Sequence, residues 1–170
     1  MADRDAAVAS GALPPLEAYL AAGEKRGLLW TPLRRRLLEL FWREPVVWGA
    51  YGVTRRLLKE SKAHANSVYR GLRSLEEVSL IAPVHLLKRY LITPDPGRTE
   101  WSALLCDRCG DATLRPMPPA MRDIHALAAT HGFSVSGLVV ECVGQCRRCA
   151  REEPRAPPQE PWVRARIPQS

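Results

Sequence analysis

Aromatic side chains are sparse in this sequence, with two Phe, four Tyr and five Trp among 170 residues. The tryptophans, Trp30, Trp42, Trp48, Trp101 and Trp162, are scattered, which excludes the stacking platform on which single-stranded nucleic acid is held. No apolar run approaches the roughly 20 residues that a membrane-spanning helix needs. The amino terminus, MADRDAAVAS, lacks the basic start and apolar core of a secretion signal, so a cytoplasmic protein is expected. A Gly-rich phosphate loop and any arrangement of nucleophile with base are also missing, so an enzyme is not expected. The five cysteines are an odd number, which suits a disulfide framework poorly, and in a reducing compartment metal binding is the leading use for them.

What the sequence has in excess is positive charge. Lys and Arg number 25 against 18 Asp and Glu, a formal net charge of +7 with a pI near 9.5. That balance favours a polyanionic partner, and with so few aromatics double-stranded DNA suits better than single strands. The length suffices for one compact domain or two small ones, each with a limited core that a bound metal would staple. Residues 1–13, small and polar, and 153–170, rich in Pro and Arg, are expected to be flexible tails. The stretch TPDPGR at 93–98 breaks any regular element. It divides the chain into a first domain over 14–92, a hinge over 93–100 and a second domain over 101–152.

The first domain reads as helical. Pro15 opens a helix to about residue 25. Thr31 with Pro32 starts a second to about 43, because threonine caps and proline suits the first turn. Leu33, Leu37, Leu40 and Phe41 share one face of it, leaving Arg34, Arg35 and Arg36 to solvent or phosphate. Ala50, Val53 and Leu57 form a third apolar stripe up to about 59, and the polar stretch ESKAHAN turns the chain, with His64 just ahead of the next helix. Over 65–78, Val68, Leu72 and Leu75 face inward, while Asn66, Tyr69, Arg70 and Arg73 face out. Such a face can reach base edges and phosphates from the major groove, although a solvated surface has the same spacing. Runs at 80–84 and 88–92 flank a basic turn and read as a hairpin, a wing that brings Lys88 and Arg89 to the phosphate backbone.

In the second domain, 101–106 and 111–115 read as strands, 119–130 as a helix with Ile124, Leu127 and Ala128 inward, and 133–144 as a long strand. The fold class is therefore α+β, a winged helix-turn-helix domain followed by a small α/β domain. One helix over three strands leaves apolar surface and a strand edge open, which a second copy would complete.

The chemistry lies in two C-x-x-C pairs, Cys106 with Cys109 and Cys146 with Cys149. Two intervening residues let both thiolates of a pair reach one metal, and four sulfurs close a tetrahedron around zinc. The metal would tie the start of the second domain to its end. A closed thiolate shell leaves no position for water, so the zinc is structural. Cys142 stands outside the set. A redox dithiol and an iron–sulfur cluster use the same residue types and remain the competing readings.

Several ordered motifs resemble the ferric uptake regulator family, and within it most closely the zinc uptake regulators. They are TPLRRRLLEL at 31–40, GAYG at 49–52, SVYRGL at 67–72, LLCDRCG at 104–110 and HGFSVSGLVVECVGQCRRC at 131–149, so the likeness spans roughly 15–150. The resemblance implies a winged-helix DNA-binding domain and a dimerisation domain holding the four-cysteine zinc. It further implies a homodimer on a palindromic operator, usually as a repressor, with DNA contacts from Tyr51, Tyr69 and Arg70. Asn66 and Ser67 stand where zinc regulators commonly have proline and threonine, so operator sequence is expected to differ.

The resemblance also implies a second, regulatory metal at the hinge, and here the chain departs from it. Ala82, Thr93, Thr99 and Leu114 occupy the four ligand positions, and none is a strong zinc ligand. His85, Asp95, Glu100, His125, His131 and Cys142 are the other donors near by. Three functions follow: a regulator whose DNA binding no longer needs the second zinc, a regulator sensing metal through unconventional hinge ligands, and a zinc-stabilised interaction protein that has lost DNA binding.

Overall fold

Thr31 opens the central helix of the first domain as its sequence demands, its hydroxyl accepting the Arg34 amide at 3.2 Å with Pro32 in the first turn. The computed structural model describes residues 13–60, 64–118, 123–135 and 138–151, with backbone alone at 58–60. Four helices come first: α1 (Leu16–Lys25), α2 (Pro32–Arg43), α3 (Ala50–Glu60) and α4 (Ala65–Glu77). Their apolar stripes meet in one core containing Tyr19, Leu37, Phe41, Val53, Leu57, Val68, Leu72 and Leu75. The crossing of α2 and α4 is close, for a Cβ added at Gly71 would lie 2.4 Å from Leu37 Cδ1. Gly71 is thus small because α4 is seated against α2 there.

The wing is a three-stranded antiparallel sheet in the order β1-β3-β2, with β1 (Trp48–Gly49), β2 (Ile81–Val84) and β3 (Arg89–Ile92). The hairpin was legible in sequence. The two-residue β1, which pairs Trp48 with Tyr90, was not, since two residues carry no periodicity.

The second sheet has the order β5-β4-β6, from β4 (Trp101–Cys106), β5 (Ala112–Pro116) and β6 (Val140–Gly144). β5 runs antiparallel to β4 and β6 parallel to it. α5 (Asp123–Thr130) lies between β5 and β6 in sequence, and α6 (Arg147–Arg151) closes the described chain. Of the long strand expected over 133–144, the described residues form strand over Val140–Gly144, and 136–137 lie outside the described residues. β6 pairs along β4, from Ser102 with Val140 to Cys106 with Gly144. The expected inward face of α5 also fails within one chain: Ile124 and Leu127 are exposed and Ala128 only half-buried. Periodicity identified an apolar stripe but not what it meets, because this helix buries no residue against its own sheet. Residues 119–122 of that expected helix, 61–63 of the expected turn and nearly all of both expected tails lie outside the described residues.

The segment over 93–100 is anchored at its start. Tyr19, fully buried, donates its hydroxyl to the Thr93 carbonyl at 2.6 Å, and the Thr93 hydroxyl bonds the carbonyls of Ser79 and Leu80, each at 3.1 Å. Burial first, and Asp95 second, push the Tyr19 phenol above its ordinary value, so it stays protonated and donating. Tyr19→Phe is expected to cost about 1–3 kcal/mol, the loss on leaving a buried acceptor unpaired. A urea titration should show a lower midpoint at unchanged slope, and an unchanged midpoint would refute this account. Among the described residues no helix is long and apolar enough to cross a membrane.

Candidate metal centre and nucleic-acid interface

Parallel pairing of β4 with β6 explains how two thiol pairs so distant in sequence come together. It ends with Cys106 opposite Gly144, and the Asp107 amide donates to the Gly144 carbonyl at 2.9 Å, which lays the two cysteine turns side by side. Cys109 follows in a turn closed by Gly110, whose φ of +73° is the left-handed conformation glycine adopts without strain. Cys146 and Cys149 come from the other turn and the start of α6.

The sulfur atoms of Cys106, Cys109, Cys146 and Cys149 all lie within 4.8 Å of one another, and Cys109 Sγ is 3.9 Å from Cys146 Sγ. A tetrahedral zinc with Zn–S near 2.3 Å requires sulfur separations of about 3.8 Å. The donor set and its spacing therefore fit structural zinc. Among the described residues it is the one group of three or more His, Cys, Asp or Glu whose donor atoms converge in this way. Cys142 is exposed and outside it.

Electrostatics point the same way. Burial raises the Cys106 thiol, but backbone amides of Cys146, Cys109 and Arg108 together outweigh it and hold the pKa at about 7. The Cys146 amide donates to Cys106 Sγ at 3.3 Å. Cys149 is pushed up to about 12, by burial first and then by the crowd of neighbouring thiols. Four thiolates this close repel one another, and a divalent cation is what allows all of them to ionise together. Arg148, hydrogen-bonded to Cys109, adds positive charge beside them. Four sulfurs fill a tetrahedron, so the centre offers no place for a reacting water.

The residues expected to face DNA are open to solvent. Asn66, Ser67, Tyr69, Arg70 and Arg73 of α4 are all exposed, as is Tyr51 at the start of α3. Tyr51 keeps 73% of its surface and Tyr69 49%, large aromatics with little burial to stabilise them there. Arg73 pairs with Glu77 one turn on, at 3.1 Å, whereas the exposed Arg70 has no side-chain partner among the described residues. His64 occupies the position before α4 without capping it.

Arg34 departs from expectation. Its guanidinium bonds the Leu29 carbonyl at 2.6 Å and the Ser74 hydroxyl at 2.9 Å, so it braces α4 against α2 instead of facing phosphate. Charge-face reasoning missed this because the acceptor, Ser74, lies 40 residues away. Arg35 and Arg36 are exposed as expected.

A cleft of 420 Å³ lies between the wing and the second sheet. Ala82, Thr99 and Leu114 line it, three of the four positions where the resemblance implies regulatory ligands, while the buried Thr93 is engaged in the backbone bonds described above. His85, Glu100 and His125 line the same cleft, with Glu76 and Glu141. Leu114 is buried in an apolar cluster that joins Val84 and Leu91 of the wing to Ala103, Leu105 and Ala112 of the second sheet, with Ala82 packed against it. Beside the cleft, contact between these apolar side chains joins the wing to the second sheet. The Glu141 carboxylate accepts the His85 and Leu86 amides across the same junction. Sequence reading passed over that residue, since an isolated glutamate in a strand carries no signal.

No family profile matches the sequence. Over 151 residues it is 31% identical to the zinc uptake regulation protein of Escherichia coli (strain K12), covering 83% of this chain and 86% of that protein. Among solved structures, a zinc uptake regulator complexed with zinc and DNA is similar at a TM-score of 0.72 and 26% identity, covering 79% of this chain and 92% of that one. The crystal structure of holo XcZur gives a TM-score of 0.73 at 24% identity, over 81% of this chain and 97% of that one, a likeness of fold.

Proposed function

We propose, from the premise that this chain belongs to the ferric uptake regulator family and stands close to its zinc uptake regulators, that it is a transcriptional regulator binding duplex DNA as a homodimer. The observation that carries the reading is the pairing of a four-thiol zinc centre with an exposed helix face bearing Tyr69 and Arg70. Zinc is structural: held by Cys106, Cys109, Cys146 and Cys149, it keeps the second domain folded. That domain, over 101–152, presents the exposed Ile124, Leu127 and Val143 to a second copy, so that two winged-helix domains over 14–92 meet a palindrome together. Arg70 and Tyr69 read the major groove with Asn66 and Ser67, and Arg73 and Tyr51 hold the backbone. Occupancy of promoter DNA in the cytoplasm is the mechanism, as a repressor.

The second, regulatory zinc of the family is not part of this mechanism. Ala82, Thr93, Thr99 and Leu114 offer it no strong ligand, and the apolar cluster around Leu114 supports a hinge that stays closed without it. DNA binding is therefore constitutive with respect to zinc or answers another signal.

Zinc titration of the mildly chelated protein, which keeps its tightly held metal, tests this directly. Duplex affinity is expected to stay constant through the titration and to fall steeply with salt, as phosphate contacts require. A rise in affinity as zinc is added would instead establish a labile sensory site, with His85, Glu100 and His125 as its nearest donors. Absence of any salt-sensitive association would point to an interaction protein without DNA binding.

A further inference from the structure

Among the described residues, the wing and the second sheet are joined by a polar contact at Glu141. Glu141 stands on β6 opposite Ala103 of β4, and its two carboxylate oxygens accept separate amides of the wing turn, His85 at 2.6 Å and Leu86 at 2.9 Å. Consecutive amides at a turn have no strand partner and form a small anion-binding concavity, and an ionised carboxylate is the strongest acceptor a side chain supplies there. The residues in contact are 56 and 55 positions apart, so this is a long-range tie between two units and not a local turn bond.

What the tie holds matters for recognition. The turn runs on through Lys88, whose φ of 52° is unusual for a residue with a side chain, into Arg89, and both cations are exposed. Fixing the His85 and Leu86 amides fixes the direction in which those cations leave the protein. A second observation agrees: Val84 and Leu91 of the same hairpin share an apolar cluster with Ala103, Leu105, Ala112 and Leu114. Apolar packing supplies attraction but little direction, whereas two charge-assisted hydrogen bonds set the angle of approach.

We infer that Glu141 is a positioning residue for DNA recognition, a carboxylate latch that orients the wing against the second domain where the absence of hinge ligands leaves coordination unable to do so. The inference rests on the regulator reading for its consequence, though not for the latch itself.

The test uses the full, zinc-loaded chain and a short duplex carrying a site selected by the wild-type protein from random sequence. E141A is expected to bind that duplex about tenfold more weakly, as the two charge-assisted hydrogen bonds that orient the wing are lost. Its salt slope should be lower by about one to two, as Lys88 and Arg89 leave their phosphates. Zinc content and oligomeric state should not change, and hydrogen exchange at His85 and Leu86 should accelerate. E141Q, which keeps one acceptor oxygen, is expected to lie between E141A and wild type; should E141A fail to fold, its weakened binding and faster exchange carry the test. A residue serving stability alone would lower the unfolding midpoint and leave the salt slope as it was. Unchanged exchange at the two amides overturns the latch, and so does an unchanged salt slope in variants that bind. Should the wild type select no duplex, the regulator reading fails while amide exchange still decides whether the latch exists.

Discussion

Cys106→Ser is expected to abolish stoichiometric zinc binding and to unfold the second domain while leaving the helical first domain intact. Cys106 is the buried ligand at the end of β4, and through the Cys146 amide and the Asp107–Gly144 bond it stands where the two cysteine turns are joined. Structural zinc contributes on the order of 10–16 kcal/mol in small zinc-dependent folds at neutral pH. That matches or exceeds the roughly 5–15 kcal/mol by which a whole domain is usually stable. The second domain is poorly equipped to lose it: its buried apolar residues are few, α5 buries none, and much of its cluster is shared with the wing. The first domain has its own core around Leu37, Phe41 and Leu72. Metal analysis should therefore find less than one zinc per chain, and circular dichroism should retain helix while strand signal and dimer are lost. Full zinc content in the variant, or an undisturbed second domain without metal, would remove the centre from its structural role. Cys142→Ser, outside the cluster, serves as the control that should retain zinc.

The second large effect is on recognition. Arg70→Ala is expected to eliminate sequence-specific binding with fold, zinc content and dimer unchanged. Arg70 is exposed on α4 with no side-chain partner among the described residues, so truncation costs little stability. A good bidentate contact to a base is worth about 1–3 kcal/mol per half-site, and two half-sites compound to about a hundredfold or more. Replacing Arg36, exposed on α2, should weaken specific and nonspecific duplexes alike. Competition binding against selected and scrambled duplexes separates these outcomes. Equal preference for the selected site in Arg70→Ala and wild type would move the reading head elsewhere on the surface.

These expectations differ in how far the sequence supports them. The helices α1 to α4 follow from apolar spacing and from Thr31 and Pro32, and each was found within a residue or two of where it was expected. The zinc ligands were legible because a C-x-x-C pair is a local chelate, and only the meeting of the two pairs needed a fold. By contrast, Arg34 counted as a free cation until Ser74 and the Leu29 carbonyl were seen beside it. The stripe of α5 was visible, but the sequence could not say that Ile124 and Leu127 face outward within a single chain.

From the sequence alone come the elements of local periodicity: helices whose apolar faces recur at 3.6 residues, a hairpin around a basic turn, and cysteine pairs spaced for one metal. The sequence also places Ala82, Thr93, Thr99 and Leu114 at the four positions where the resemblance implies regulatory ligands. Tertiary structure alone decided what surrounds those positions. The parallel register of β6 on β4 sets the cysteine turns together and aims Glu141 at the wing, and the apolar cluster joins the wing to the second sheet. Pairing across such distances depends on which strands become neighbours, a choice made by the collective burial of side chains and invisible in any short window of sequence.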